Sequence, residues 1–221
     1  MRRRALIDLD AFVANLNVIG GDAFDARADA YGHGLAILGP AARDTGVRTV
    51  RVSNERDADI ARGCGLTAVQ SLDPGPGVAD AAAILGLDGT HRPVLAVVGE
   101  LIAVKHVPAG AGVSYGYTYR AAAATHLALV GLGYADGIPR LASNRATLTV
   151  DGVPHPLVGR IAMDQLVIEL GDAPVPTGGD VVVFGDPARG EASARDWADW
   201  TERSPLALTA GLGHRIRRET R

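Results

Sequence analysis

Near residue 92 the chain changes texture, and that break limits what it can fold into. Before it, helical and extended patterns alternate; after it, the patterns are extended throughout. A βαβ crossover takes about 30 residues and a closed eight-stranded α/β barrel about 250. Fewer than about a hundred residues precede the break, so about three βα units fit and eight do not. No closed α/β barrel is expected within this chain. A sheet of so few units leaves open strand edges, which need covering by another domain, another chain or charged side chains.

Within the first part, Asp10 is placed to cap a helix from Ala11 to about Ile19. An extended piece is expected over 23–28, a helix over 35–45 and a strand over 49–52. A helix capped by Ser53 or Asn54 and ending at Gly63 follows, then a strand over 67–71. Asp73-Pro74-Gly75-Pro76-Gly77 breaks regular structure, and 78–85 reads as one more short helix. In the second part, strands are expected over 93–107, 125–131, 146–150, 156–161, 165–170 and 180–184. Turn signals such as Pro108-Ala109-Gly110, Asp151-Gly152 and Pro176-Thr177-Gly178-Gly179 separate them. This pattern suits a small antiparallel β barrel or sandwich. Ser193 should cap the one late helix, to Thr201, with Trp197 and Trp200 on one face as core. The expected class is therefore α+β. Residues 10–91 form a partial α/β barrel and 92–221 an antiparallel β-barrel-like domain, which the strand at 4–9 joins.

At 221 residues, with 47% hydrophobic and 21% charged side chains, the chain can bury a substantial core. A net charge of -3 provides no general attraction to nucleic acid or to anionic lipid, so neither is expected as a partner. The arginines at the two ends, Arg2 to Arg4 and Arg215 to Arg218 with Ile216 among them, read as solvated termini. Cys64 is the single cysteine, which excludes an internal disulfide and suits a reducing cytoplasm. Acids interrupt the apolar run after Met1 that a signal peptide needs, and no stretch approaches the ~20 apolar residues of a membrane helix.

Two segments carry candidate chemistry. Tyr134, between Gly133 and Ala135-Asp136-Gly137, sits on a sharp turn that presents its ring outward. It is either a structural turn residue or a base, the latter only where cations or hydrogen bonds favour the phenolate. Tyr31-Gly32-His33-Gly34 lies between an extended piece and a helix, where glycine-rich backbone either receives phosphate or simply turns. His33 reads as a hydrogen-bonded structural histidine, and His106, His126 and His155 lack metal-ligand spacing, so no metal is expected.

Six motifs together resemble the alanine racemase family, in that family's order. They are Ala5-Leu6-Ile7-Asp8-Leu9-Asp10, Ala28-Asp29-Ala30-Tyr31-Gly32-His33-Gly34, Arg92-Pro93-Val94 and Val113-Ser114-Tyr115-Gly116. Gly133-Tyr134-Ala135-Asp136-Gly137-Ile138-Pro139-Arg140 and Gly159-Arg160-Ile161-Ala162-Met163-Asp164 complete the set. The resemblance covers about 4–68 and 92–218. It implies pyridoxal phosphate as cofactor, interconversion of L- and D-alanine, and a homodimer in which one subunit donates a tyrosine base to the other's site. By resemblance Tyr134 holds the base position, Tyr31 lies near the cofactor phosphate, and Met163 faces the substrate carboxylate beside Asp164.

Two departures accompany the matches. Arg27 stands where the family carries its cofactor lysine, and His214 where a tyrosine contacts the phosphate. A guanidinium with pKa above ~12 cannot lose the proton that Schiff-base chemistry requires. The only lysine is Lys105, far along the chain. The middle of the family's barrel has no counterpart here either, so any cofactor binding should be weak. Three readings follow: a homologue unable to racemise alone, a racemase rewired around Lys105 or another chain's lysine, or a regulatory subunit. The last would offer Tyr134 and Met163 to a full-length racemase in a heterodimer.

Overall fold

Strand β1 (Arg3–Ile7) ends at Asp8, whose carboxylate accepts the Ala11 N–H at 2.8 Å and opens helix α1 (Leu9–Ile19). The cap is thus Asp8 rather than Asp10, because Asp8 keeps the extended backbone a cap needs (φ -89°, ψ 96°) while Asp10 already lies in the first turn. The computed structural model describes residues 1–70, 78–172 and 177–221. The Asp73–Gly77 breaker and Pro176 lie outside them. Two units emerge: an α/β unit (Leu6–Leu95, Pro205–Gly211, Arg218–Arg221) and a β unit (Met1–Ala5, Ala96–Ser204, Leu212–Arg217).

In the α/β unit, β2 (Ala23–Asp25) leads into α2 (Arg27–Tyr31) and α3 (Leu35–Asp44), and β3 (Thr49–Arg51) leads into α4 (Glu55–Gly63). β4 (Thr67–Val69), β5 (Val78–Ala79) and α5 (Ala81–Ile84) follow. The four strands are parallel in the order β4-β3-β2-β5. Asn54 caps α4 through its side chain, as the sequence suggested. Two expectations need correction. The extended piece stops at Asp25 because the chain turns there into α2. Residues 78–85 divide into a strand and a helix because Asp80 caps the latter, accepting the Ala82 N–H. Apolar faces meet at Phe12 and Phe24, whose rings pack edge to face at 5.9 Å, and both are fully buried.

The β unit is built on β6 (Leu95–Val107), followed by the small ladder of β7 (Gly112–Val113) and β8 (Tyr119–Arg120). Next come β9 (Thr125–Val130), β10 (Thr147–Val150), β11 (Val153–Pro156), β12 (Leu166–Gly171) and β13 (Asp180–Phe184). β6 is long enough to pair with β13 through Val97–Glu100 and with β9 through Leu101–Val107. β13 pairs with β10, β10 with β11, and β9 with β12. Leu157, just past β11, bridges to Ile168 of β12 and closes the ring. All these pairings are antiparallel, so the second part is a closed barrel.

The strand expected over 156–161 is instead the hairpin arm Val153–Pro156. Asp151 and Gly152, both left-handed, make the two-residue turn, and the chain leaves the ladder after Pro156 except at Leu157. Helix α6 (Ala194–Thr201) carries the Ser193 cap, with Ser193 and Asp196 bonded reciprocally. Trp197 is fully buried, whereas Trp200 is half-buried against its ring, so only one of the two tryptophans belongs to the core. Helix α7 (Pro205–Ala210) and strand β14 (Arg217–Thr220) end the chain. Among the described residues no helix is long and apolar enough to cross a membrane.

Candidate functional site

In the α/β unit, the chain leaving β2 coils the wrong way. Ala28, Asp29, Ala30 and Tyr31 have φ of 52°, 56°, 52° and 51°, and Gly32 follows at 81°. A left-handed turn costs L-residues roughly 1–2 kcal/mol each, and such strain gathers at functional positions. Gly32 is obligatory here, since a Cβ would run into the Thr209 carbonyl.

The turn folds two of its side chains onto the Asp25 carboxylate, and a third reaches it from β3. Arg27 Nε donates to its two oxygens at 2.9 and 3.0 Å and Nη2 to Oδ2 at 2.7 Å. The Tyr31 hydroxyl donates to Oδ2 at 2.9 Å and accepts from Arg27 Nη2 at 3.0 Å. Arg51, from the end of β3, reaches Oδ2 at 3.4 Å. Burial pushes the Asp25 carboxyl up, but the hydrogen bonds from Arg27 and Tyr31 outweigh it and hold the group below its ordinary value. Those bonds to Asp25 raise the Arg27 pKa further. Burial, then the bond to Asp25, raises that of the Tyr31 phenol.

The next turn is equally self-contained. Asp29 accepts the Leu35 N–H at 2.7 Å, so a carboxylate of the same turn serves the start of α3. The glycine-rich segment is a strand-to-helix turn closed by its own acid. His33 is the structural histidine expected: wholly buried, with Nδ1 3.1 Å from the Ala30 carbonyl and 3.2 Å from that of Tyr31. Burial pushes its pKa down to about 4. Because the folded value lies below the unfolded one, the unfolded chain binds more protons in between. Stability is therefore intact above about pH 6.5 and falls by roughly 3 kcal/mol as pH drops through 4. Urea unfolding at pH 7 and pH 4 should show that loss, and His33→Gln should flatten it.

In the β unit, Tyr134 opens a 3₁₀ turn, Tyr134–Asp136. The Tyr134 and Ala135 N–H groups each donate at 3.0 Å to the carbonyls of Ala162 and Met163, which ties the turn to the segment that follows Arg160. Gly133 permits that approach, because a Cβ there would collide with both carbonyls. Tyr134 is 41% and Met163 54% exposed, and the Arg140 guanidinium lies 5.6 Å from the centroid of the Tyr134 ring. His214 is exposed.

Beneath the turn, Asp136 is fully buried. Its carboxylate accepts the Gly133 N–H at 2.9 Å and pairs with Arg3 at 3.2 Å and Arg215 at 3.1 Å. Arg215 also bonds Asp164, beside Met163. The arginines read as solvated termini therefore need correction: Arg3 and Arg215 hold the turn that carries Tyr134. Arginine runs at chain ends carry no sign of this, since the partners lie more than a hundred residues away along the chain, or about fifty to eighty for Arg215.

A second tyrosine is presented more sharply still. Ser114 has φ 59° and ψ -170°, a region that only glycine occupies comfortably, and Gly116 and Tyr117 also have positive φ. Ser114 Oγ donates to the Arg160 carbonyl at 2.5 Å and fixes the loop. Tyr115 is 71% exposed at its apex. The motif Val113-Ser114-Tyr115-Gly116 was visible in the sequence, but the strain that singles out Tyr115 was not. Lys105 is exposed on β6, beside an apolar groove of about 330 Å³ lined by Ala103, Val107, Leu127 and Val167.

Comparison with known proteins bears on this arrangement. Residues 94–220, more than half of the chain, match the alanine racemase C-terminal domain. The chain belongs to the alanine racemase family. Alanine racemase of Streptomyces coelicolor is 43% identical over 152 residues, 68% of this chain but 37% of that protein. The chain thus spans well under half the length of this curated relative.

Among solved structures, the alanine racemase of Streptomyces lavendulae superimposes with a TM-score of 0.87 at 23% identity, over 100% of this chain and 97% of that one. The Bartonella henselae enzyme, solved with covalently bound pyridoxal phosphate, does so with a TM-score of 0.82 at 16% identity, over 100% of each. At those identities the likeness establishes the fold.

The Bartonella henselae enzyme holds its pyridoxal phosphate covalently. Around position 27 the residues present offer no amine for such a bond. Position 27 offers a guanidinium already clamped to Asp25, and the Tyr31 hydroxyl is committed to the same carboxylate. The start of α3 is closed by Asp29.

Proposed function

We propose that this member of the alanine racemase family does not racemise alanine by itself and acts as a subunit alongside a full-length racemase. One observation carries the first half of the proposal: Arg27, in the lysine position, is consumed by Asp25 and Tyr31. The α/β unit is, in this reading, the remainder of a barrel whose middle is absent. The exposed tyrosines and Met163 of the β unit support the second half. A subunit that retains the face donated across the family's dimer can lend it to a complete site. A reducing cytoplasm suits its single cysteine.

The structure favours Tyr115 over Tyr134 as the lent base, because the strained loop presents Tyr115 whereas Tyr134 is half-covered beneath Arg140. Tyr134 and Met163 then line the approach to it, and His214 leaves the tyrosine's phosphate contact unmade.

Two measurements test this. The purified chain with pyridoxal phosphate should show no exchange of the alanine α-proton in deuterated water. Co-expression with a tagged full-length racemase should retain the chain on the affinity resin. In that mixed complex Tyr115→Phe should lower turnover by about 10²-fold or more and Tyr134→Phe by less. Turnover by the isolated chain would end the first half of the proposal, and failure to co-purify the second.

A further inference from the structure

His106, His126 and His155 are scattered along the sequence, but the ladder between β6 and β9 sets two of them directly opposite one another, at the register pair His106–His126. Their ring centres lie 5.1 Å apart with the planes at 65°. Side chains alternate along a strand, and the row that carries His126 continues through Ala128 and Val130, both fully buried. The pair ends that buried row: His126 is half-buried and His106 exposed, so solvent reaches both rings.

His126 is oriented before any ligand arrives. The register of β12 shifts between Glu169 and Gly171, which brings Gly171 opposite His126, and Nδ1 lies 3.0 Å from the Gly171 carbonyl. A carbonyl oxygen only accepts, so Nδ1 carries the proton and Nε2 of the neutral ring keeps its lone pair. A backbone bond of this kind on the far nitrogen is what fixes the tautomer of metal-binding histidines. At a metal–nitrogen distance of about 2.0–2.1 Å, two imidazoles on neighbouring corners of a tetrahedron hold their ring centres about 5 Å apart. The observed separation matches that spacing. Among the described residues no group of three or more metal-binding side chains forms, so the chain supplies two corners and solvent the others.

We propose that His106 and His126 form a two-histidine site for a late first-row divalent cation, Zn²⁺ or Cu²⁺, which clips β6 to β9. Imidazole suits both ions. Titration calorimetry of the full, chelator-stripped chain with zinc chloride tests it. One zinc per chain is expected, bound about tenfold or more weakly in H106Q and in H126Q, since even the outer partners of a metal-bound histidine are worth that much. H91Q removes the rival histidine–carboxylate pair, in which His91 stands 2.7 Å from Asp88, and should bind as the parent does. Zinc should also raise the Tm of the parent and not that of H106Q. If H126Q melts early, H106Q at the exposed member decides, together with the electron paramagnetic resonance spectrum of the parent with one equivalent of Cu²⁺, which should carry couplings from two imidazole nitrogens. No saturable zinc heat, parent-like affinity in H106Q, equal loss in H91Q, or copper coupled to a single imidazole overturns the proposal.

Discussion

Asp136→Ala is expected to destabilise the β unit by about 3 to 5 kcal/mol, the usual cost of removing one partner of a buried ion pair. Asp136 is fully buried, and its carboxylate holds Arg3, Arg215 and the Gly133 N–H. Alanine would leave Arg3, itself largely buried, facing a gap. For a chain of this size each kcal/mol lowers Tm by about 2–4 °C, so a fall of roughly 10 °C is expected in a thermal melt. The damage should extend to the site, because the same carboxylate shapes the turn that presents Tyr134. Asp136→Asn should cost less, since an amide oxygen still accepts from Gly133. A melt within 2 °C of the parent's, on the same scale, would mean that this cluster does not hold the turn.

Asp25→Ala should show the corresponding effect in the α/β unit, smaller because Arg27 is partly exposed: about 2 to 3 kcal/mol. Asp25 accepts from Arg27, Tyr31 and Arg51 together, and it neutralises the Arg27 guanidinium. Because its folded pKa lies below the unfolded one, its contribution is present above about pH 4 and lost as pH falls through the folded value. Parent and variant should therefore differ in urea midpoint at pH 7, and the difference should shrink as pH falls below about 4. A constant difference across that range would show that packing, not charge, sets the effect.

Much of the fold was legible in the sequence. The shift near residue 92, the Asn54 and Ser193 caps and the Asp151-Gly152 hairpin each rest on local chemistry: extended against helical periodicity, a side-chain acceptor, a pair of left-handed residues. Features that depend on distant partners were hidden. Closure of the barrel through Leu157 and Ile168 leaves no local mark. The clamp of Arg3 and Arg215 on Asp136 joins the two ends of the chain to its middle, so those arginines read as solvent-facing.

The candidate site divides in the same way. The arginine at position 27 is visible as a letter, but its reach is not. Only the left-handed turn from Ala28 to Tyr31 shows that Arg27 and the Tyr31 hydroxyl converge on Asp25 and satisfy one another. Likewise Tyr115 stands in the motif Val113-Ser114-Tyr115-Gly116, yet the Ser114 backbone that presents it appears only in three dimensions. Backbone strain is a property of conformation, and residues such as serine do not announce it.

Under the proposed function, Arg27 leaves this chain without the amine that would anchor pyridoxal phosphate. The most direct measurement is the absorbance spectrum of the purified chain with pyridoxal phosphate before and after borohydride, followed by peptide mass spectrometry. The account predicts no reducible adduct on any specific residue. A stoichiometric reduced adduct on Lys105 would contradict it and would make the chain a rewired enzyme.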